Sequence, residues 1–473
     1  MPANEQPEPN GLGLPKHYAK LDDPKPFYEA DVPPATDGES VLKARRAIEP
    51  WLCSLFQAEH LALLVGTGLP IALGHVASAA SASMSSDRFP GELSTEIETE
   101  AVRSARAAGR GDEPNIEDRL RAAIALYEGL RIASDARAAS LLAQIQRQIT
   151  ALLKTVLKGE EDFLTKARSA TDNSAADVLA SFLLSFASRA GTRDRLQLFT
   201  TNYDRFIEFG CDRAGIRIID RFVGAVEPMF RASRLNIDMH YNPPGIRGEP
   251  RYLEGVIRLT KLHGSLDWRA DGSTIRRCML PFGAKESHPE IPTPSIAASA
   301  ASPQETNPGR DEKPAGPYNS VLVYPNPAKD IETLSYPYAE LFRDFAASMC
   351  RPNAVLVTFG YGFGDDHINR IIRDALTIPS THLVIISFDD PGGRVSRFCS
   401  RVGSGAQMTI LLGSHFGDLT MLVRHYLPKP ALDSARARKT GLLQRRGESA
   451  VPPPAQSAQT VELDESDGSG APT

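Results

Sequence analysis

Six short apolar runs, each closing on a glycine or polar loop, constrain this chain more than any other feature: "LQLFTTNYD", "IRIID", "VIRLTKLHG", "AVLVTFGYGFGDD", "HLVIISFDD" and "MTILLGSHFGD". Runs of this length, rich in Val, Ile and Leu, read as strands buried on both faces. Helical segments such as "DRFIEFGCDRAG" and "HINRIIRDAL" lie between them. Strands alternating with helices build βα units, and βα units build a mostly parallel sheet. A further helical stretch, "EPWLCSLFQAEH", leads into the strand Leu61 to Val65 and the loop "VGTGLPIALG". The expected fold class is α/β, a Rossmann-like doubly wound sheet, and such sheets bind ligands at the carboxyl ends of their strands.

Length and composition bound the rest. With 473 residues, 41% of them apolar, the chain has enough material for one large core plus additions. Residues 1–45 are rich in Pro, Gly and acidic side chains and read as an N-terminal extension, ordered against a partner. The main domain is expected over 46–427. Between 86 and 189 the β signal vanishes and helical spacing replaces it: Leu120, Ile124 and Tyr127 share one face, as do Leu142, Ile145, Ile149, Leu152 and Val156. That stretch reads as a large α-helical insertion. Residues 285–317 read as a mobile loop and 428–473 as a disordered low-complexity tail, both dense in Pro, Ser and charge. No internal repeat is visible.

A formal charge of −5 gives the chain no general attraction to a phosphate backbone, so nucleic acid is expected to matter only indirectly, through a partner. No apolar run approaches the roughly 20 residues of a spanning helix, and "MPANEQPEPNGLGLPKHY" has no signal-peptide core, so the expectation is a cytoplasmic protein away from membranes. The five cysteines (Cys53, Cys211, Cys278, Cys350, Cys399) are far apart, without a C-x-x-C pair. This argues against a disulfide framework and a structural zinc, and the expected metal set is empty.

Four constellations carry candidate chemistry. In "VGTGLPIALG", Gly66, Gly68 and Gly74 follow a buried strand, where glycine allows backbone N–H groups to approach a pyrophosphate. As a dehydrogenase fingerprint the loop fails, because Ile71 stands where Gly or Ala is required; a tight strand-to-helix turn is the alternative. In "FTTNYD", Asn202 can orient a water or a ribose hydroxyl and Asp204 can stabilise positive charge, or both can cap the helix that follows. In "IRLTKLHGSLDW" a β run stops at His263, a candidate base or a histidine at a turn. In "FGYGFGDDHINRII", glycines precede Asp365, Asp366 and His367, suited to a ribose or adenine edge, with helix capping by Asp366 as the alternative. All four fall at strand ends and would converge on one edge of one sheet.

The order of these motifs resembles the sirtuin-like NAD-consuming fold, specifically its bacterial branch in antiphage defence, over roughly residues 46 to 425. Gly66-Thr67-Gly68-Leu69-Pro70, with Gly74 in register, is similar to the family's glycine loop. Thr201-Asn202-Tyr203-Asp204 is similar to its Q-N-I-D motif, His263 falls on its catalytic histidine, and Gly360, Tyr361 and Gly362 approximate its G-T-S motif. "NIEDRL" at 115–120 also looks typical of the bacterial branch. The chain departs from the deacylases of the family. Pro70 stands where Ser is common, "HVASA" follows Gly74 in place of P-D-F-R, and the zinc cysteines are absent.

The resemblance implies an NAD glycohydrolase that cleaves NAD, as substrate, to nicotinamide and ADP-ribose and defends against phage by NAD depletion. Asn202, His263 and Asp204 would be catalytic. The substrate-binding set would be Gly66, Thr67, Gly68, Leu69, Gly74, Thr201, Gly360, Tyr361, Gly362, Asp365 and Asp389, without zinc. Two other readings stay open: an NAD or ADP-ribose sensor without turnover, and a sirtuin-type protein deacylase. The resemblance further implies a homo-oligomer working beside a hexameric HerA-type DNA-translocating ATPase.

Overall fold

The computed structural model describes residues 14–79, 88–107, 111–169, 175–189, 193–232, 237–241, 251–271, 274–286, 320–322, 337–403 and 405–429. All but the first two residues of the expected tail at 428–473, and all but the first two of the expected loop at 285–317, lie outside them.

A nine-stranded sheet organises these residues. Its strands are β1 (His17–Lys20), β2 (Tyr28–Ala30), β3 (His60–Val65), β4 (Leu196–Thr200), β5 (Arg217–Ile219), β10 (Val256–Lys261), β14 (Ala354–Phe359), β15 (His382–Ser387) and β16 (Met408–Leu412), in the order β2-β1-β16-β15-β14-β3-β4-β10-β5. From β16 to β5 every pairing is parallel, and only β1 and β2 run against their neighbours. The six apolar runs and Leu61–Val65 are these seven parallel strands. β14 is buried at every residue, as expected of a strand with helices on both faces.

One face is covered by α1 (Gly38–Phe56), α2 (Gly68–Ala77), α6 (Ala175–Ala187) and α7 (Phe206–Ala214), whose Ile48, Leu52, Leu73, Leu179, Phe182 and Ile207 join Leu63 and Val357 in one core. The other carries α8 (Tyr338–Met349), α9 (Asp366–Ala375) and α10 (Arg394–Val402), with Phe345, Ile368, Ile372 and Phe398 packed on Leu64 and Ile385. The chain therefore forms an α/β fold of Rossmann-like form.

Between α2 and β4 the elements are helical: α3 (Ser94–Ala107), α4 (Ile116–Ile132), α5 (Arg137–Ser169) and α6. The first three have a core of their own, built from Ile97, Leu120, Ile124, Tyr127, Ile145, Ile149, Leu152 and Val156, with Leu142 partly buried against it. The "NIEDRL" segment starts α4. Asn115 and Asp118 form a reciprocal capping box, Asp118 also accepts from Ser104 Oγ at 2.6 Å, and Arg119 grips Glu98 through two bonds of 2.9 and 3.0 Å. Its residues lock α3 to α4. The last third of α5 and all of α6 belong instead to the sheet, since Phe163 and Phe186 lie in the main core.

Two expectations change. Residues 17–20 and 28–30 are strands of the sheet rather than an arm: β1 pairs with β16 on one side and with the edge strand β2 on the other, and buried Lys20 donates to the carbonyls of Gly405 and Met408. Charged and polar residues in the strand hid it. The strand ending at His263 also does not simply stop. After a two-residue turn the chain continues as β11 (Gly264–Asp271), which with β6 (Phe222–Val223), β7 (Met229–Phe230), β12 (Thr274–Arg277) and β13 (Ser320–Leu322) makes a second sheet in the order β13-β11-β12-β7-β6. β8 (His240–Tyr241) and β9 (Arg251–Tyr252) form a separate pair.

Candidate active site

The direction of winding reverses between β3 and β14. After β3 the chain moves to β4 and β10 on one side; β14 then returns to the other flank of β3 and continues to β15 and β16. This switch point is where a doubly wound sheet opens a crevice at its carboxyl edge.

At its base the two glycine loops touch backbone to backbone. Gly66 N–H donates to Phe359 O at 3.1 Å and Gly68 N–H to Gly360 O at 3.0 Å. A methyl group on Gly66 would come to 2.5 Å from Gly360 O, and one on Gly68 to 2.5 Å from Gly360 Cα. Gly360 sits at φ +57°, where a side chain is strained. The glycines are thus required by the fit of one strand end against the next. Three amides expected to face a pyrophosphate, those of Gly66, Gly68 and Leu69, donate within the protein, the last to Gly66 O at 3.2 Å. Leu69 is core, Gly74 is buried inside α2, and Thr67 stands exposed at the start of that helix.

Polar chemistry gathers on the other side of β3. Asn202 is 4% exposed; its Nδ2 donates to Gly66 O at 3.0 Å and its backbone N–H to Thr200 Oγ1 at 3.1 Å. Thr200 Oγ1 in turn donates to Val65 O at 3.0 Å and Thr201 N–H to the same oxygen at 3.4 Å, which stitches the end of β4 to that of β3. Asn202 does not cap α7. Its Oδ1 is buried and has no hydrogen-bond partner among the described residues. Asp204 takes the capping part, accepting from Phe206 N–H at 3.2 Å.

Tyr203, between them, is buried in the core of α3–α5 together with Leu266, whose N–H donates to Tyr203 O at 3.1 Å. Glu160 of α5, fully buried, holds the same loop through Arg205, pairing with its guanidinium at 2.5 Å and accepting from its backbone N–H at 2.8 Å. Burial pushes the Asp204 carboxyl up to about 7; the buried Lys261 ammonium opposes this, while Glu160 and Glu208 add to it. Lys261 bonds to Asp204 O and pairs with Glu208 at 3.1 Å.

His263 follows β10 as Asn202 follows β4, each two residues beyond the paired Lys261 and Thr200. It is 3% exposed, and its Nε2 lies 3.4 Å from Nε2 of His367, itself 8% exposed. Phe342 packs beside both rings, at centroid distances of 6.5 and 4.9 Å. Asp365 precedes α9, and its side chain makes no capping bond there. One carboxylate oxygen and the two imidazoles place three ligand atoms within 4.8 Å of one another.

Sequence spacing could not show this cluster, because its members come from positions about a hundred residues apart. His367 was visible only as the residue after two aspartates. Asp366, for which helix capping is the alternative reading, is exposed as the first residue of α9.

The remaining expected residues lie further along the edge. Tyr361 is buried and donates to Asn369 Oδ1 at 3.1 Å; burial pushes its phenol well above the usual range, so it stays neutral. Gly362 faces the guanidinium of Arg394. Asp389 is exposed at the end of β15, with its carboxyl raised by partial burial and by neighbouring Asp390. No protein-family model matches the chain, and no curated protein matches it.

Proposed function

We propose that this chain is an NAD glycohydrolase working at the carboxyl edge of β4 and β10. The observation that carries the reading is the placing of Asn202 and His263 on adjacent strand ends, both buried, with a buried Asn202 oxygen that has no partner among the described residues. Buried polar atoms are almost always bonded, so this oxygen suits a water or a ribose hydroxyl.

In the reaction the bond between the nicotinamide nitrogen and the ribose anomeric carbon breaks, and its electron pair leaves with nicotinamide as the neutral base. Positive charge passes to the ribose, as in glycoside cleavage. Water attacks the anomeric carbon, and His263 accepts the proton released, giving ADP-ribose. Asn202 positions that water or the ribose, and Asp204 holds the nicotinamide carboxamide. Because three loop amides and that of Gly360, which donates to Ile386 O at 3.0 Å, are engaged within the protein, the pyrophosphate would be held from the Thr67 side of α2 and from the Tyr361–Gly362 side of the facing loop. Asp365 and Asp389 would serve the adenosine side. No zinc is needed for this chemistry.

Destruction of NAD requires control. The Tyr203 anchor and the Arg205–Glu160 pair tie the catalytic loop to α3–α5, so a partner or a second copy bound to those helices would act on the loop directly. On the resemblance, the context is antiphage defence and the partner a hexameric HerA-type ATPase, through which the chain would answer to nucleic acid. The test is chromatography of NAD incubated with the full chain, alone and with that ATPase, without an acyl-peptide and then with one. Nicotinamide and ADP-ribose should appear in equal amounts. Intact NAD in both conditions would favour a sensor, and release only with an acyl-peptide a deacylase.

A further inference from the structure

We infer that His263, His367 and Asp365 form a binding site for a zinc-class divalent metal ion. Three observations point the same way. The two Nε2 atoms lie 3.4 Å apart, and both rings are buried against Phe342. Two nitrogens bound to zinc at 2.0–2.1 Å and the tetrahedral angle stand about 3.4 Å apart, so the rings already have the edge length of such a polyhedron. Asp365 occupies a helix-capping position yet makes no capping bond, and one of its oxygens lies within 4.8 Å of both imidazoles. Two imidazoles and one carboxylate select a borderline transition-metal ion over magnesium or calcium, which prefer all-oxygen sets. Asp365 is only half-buried, which gives an ion a path to the two imidazoles from solvent.

The elements are rigid enough to hold the geometry. His263 leaves the end of β10, and His367 is fixed in the first turn of α9, whose Ile368 and Ile372 are core. Bound metal would take the lone pair of His263, and, on the hydrolase reading, would withdraw the base from catalysis. Zinc would then be an inhibitor, and a chelator would release activity rather than destroy it.

The probe is cobalt(II), added to tag-free full-length chain stripped with a chelator. One ion per chain should bind with visible absorption bands of low coordination number, and zinc should displace it. Asp365→Asn and His367→Gln, each checked by thermal melting, should weaken binding at least about tenfold, the scale on which even outer-shell partners of a metal are felt. His75→Gln, at an exposed histidine of α2, should leave binding unchanged. Asp365→Asn alters a half-exposed group, so it reports even if His367→Gln does not fold. Absence of stoichiometric cobalt, or binding unaffected by Asp365→Asn, would overturn the site. Triad-dependent cobalt binding without nicotinamide release would uphold the site and remove the hydrolase reading. Nicotinamide release indifferent to saturating zinc would overturn the inhibitory role.

Discussion

The two flanks of β3 end in loops that all follow apolar strands and do different work. Towards β14, glycine meets glycine: Gly66 and Gly68 close on Phe359 and Gly360 with backbone hydrogen bonds and no room for a side chain. Towards β4 and β10, polar side chains are buried: Asn202 with an oxygen that has no partner among the described residues, and His263 against His367. The first arrangement is what a sheet needs where its winding reverses and two loops share one crevice. The second costs stability, since polar groups are withdrawn from water, and persists where a ligand supplies the missing bond. Glycine in such a loop is therefore weaker evidence for a bound phosphate than a buried, unsatisfied amide is for a bound ligand.

The comparison can be broken from either side. The largest stability effect is expected where the polar flank is anchored: Glu160→Ala strands buried Arg205 and should cost about 3–5 kcal/mol in denaturant unfolding, loosening the loop that carries Asn202. A loss below 1 kcal/mol would mean that the pair does not hold the loop. On the glycine flank, Gly360→Ala places a methyl group 2.6 Å from Gly68 Cα at positive φ. It should cost about 2–4 kcal/mol. If it proves neutral, the contact between the loops is not tight and their glycines regain a ligand as their explanation.

The smallest effect is a pH slope. Asp204 is raised to about 7 in the folded chain, chiefly by burial, whereas an unfolded aspartate titrates near pH ~4. Between those values the folded state holds a proton that the unfolded state has released. Asp204 therefore makes stability fall as pH rises from about 4 to about 7, and its contribution levels off above that. Thermal melts of Asp204→Asn across this window should show a shallower decline than wild type. Parallel curves would place the proton elsewhere.

Much of the fold was legible because buried parallel strands have little choice of composition. "AVLVTF" and "HLVIIS" are apolar throughout since helices cover both faces, and the spacing of Leu120, Ile124 and Tyr127 gave the face of α4 that is buried. β1 and the second sheet were not legible. β1 is a four-residue strand that carries the polar side chains of His17 and Lys20 buried between β2 and β16, which breaks any apolar pattern, and two-residue strands such as Phe222–Val223 are too short for a period to appear. At the site, the strand-end positions of Asn202 and His263 followed from the β runs, but their adjacency depends on β4 pairing with β10 across more than fifty residues. His367 joins them only because α9 packs beneath Phe342, a tertiary fact with no local signature.

The most direct test is the rate of NAD loss by Asn202→Ala and His263→Ala beside wild type, with thermal unfolding of each. Removal of a group used in the transition state should lower turnover by about 10²–10⁴-fold while both variants remain folded. Near wild-type turnover in either variant, with unchanged thermal stability, would contradict the assignment of the site.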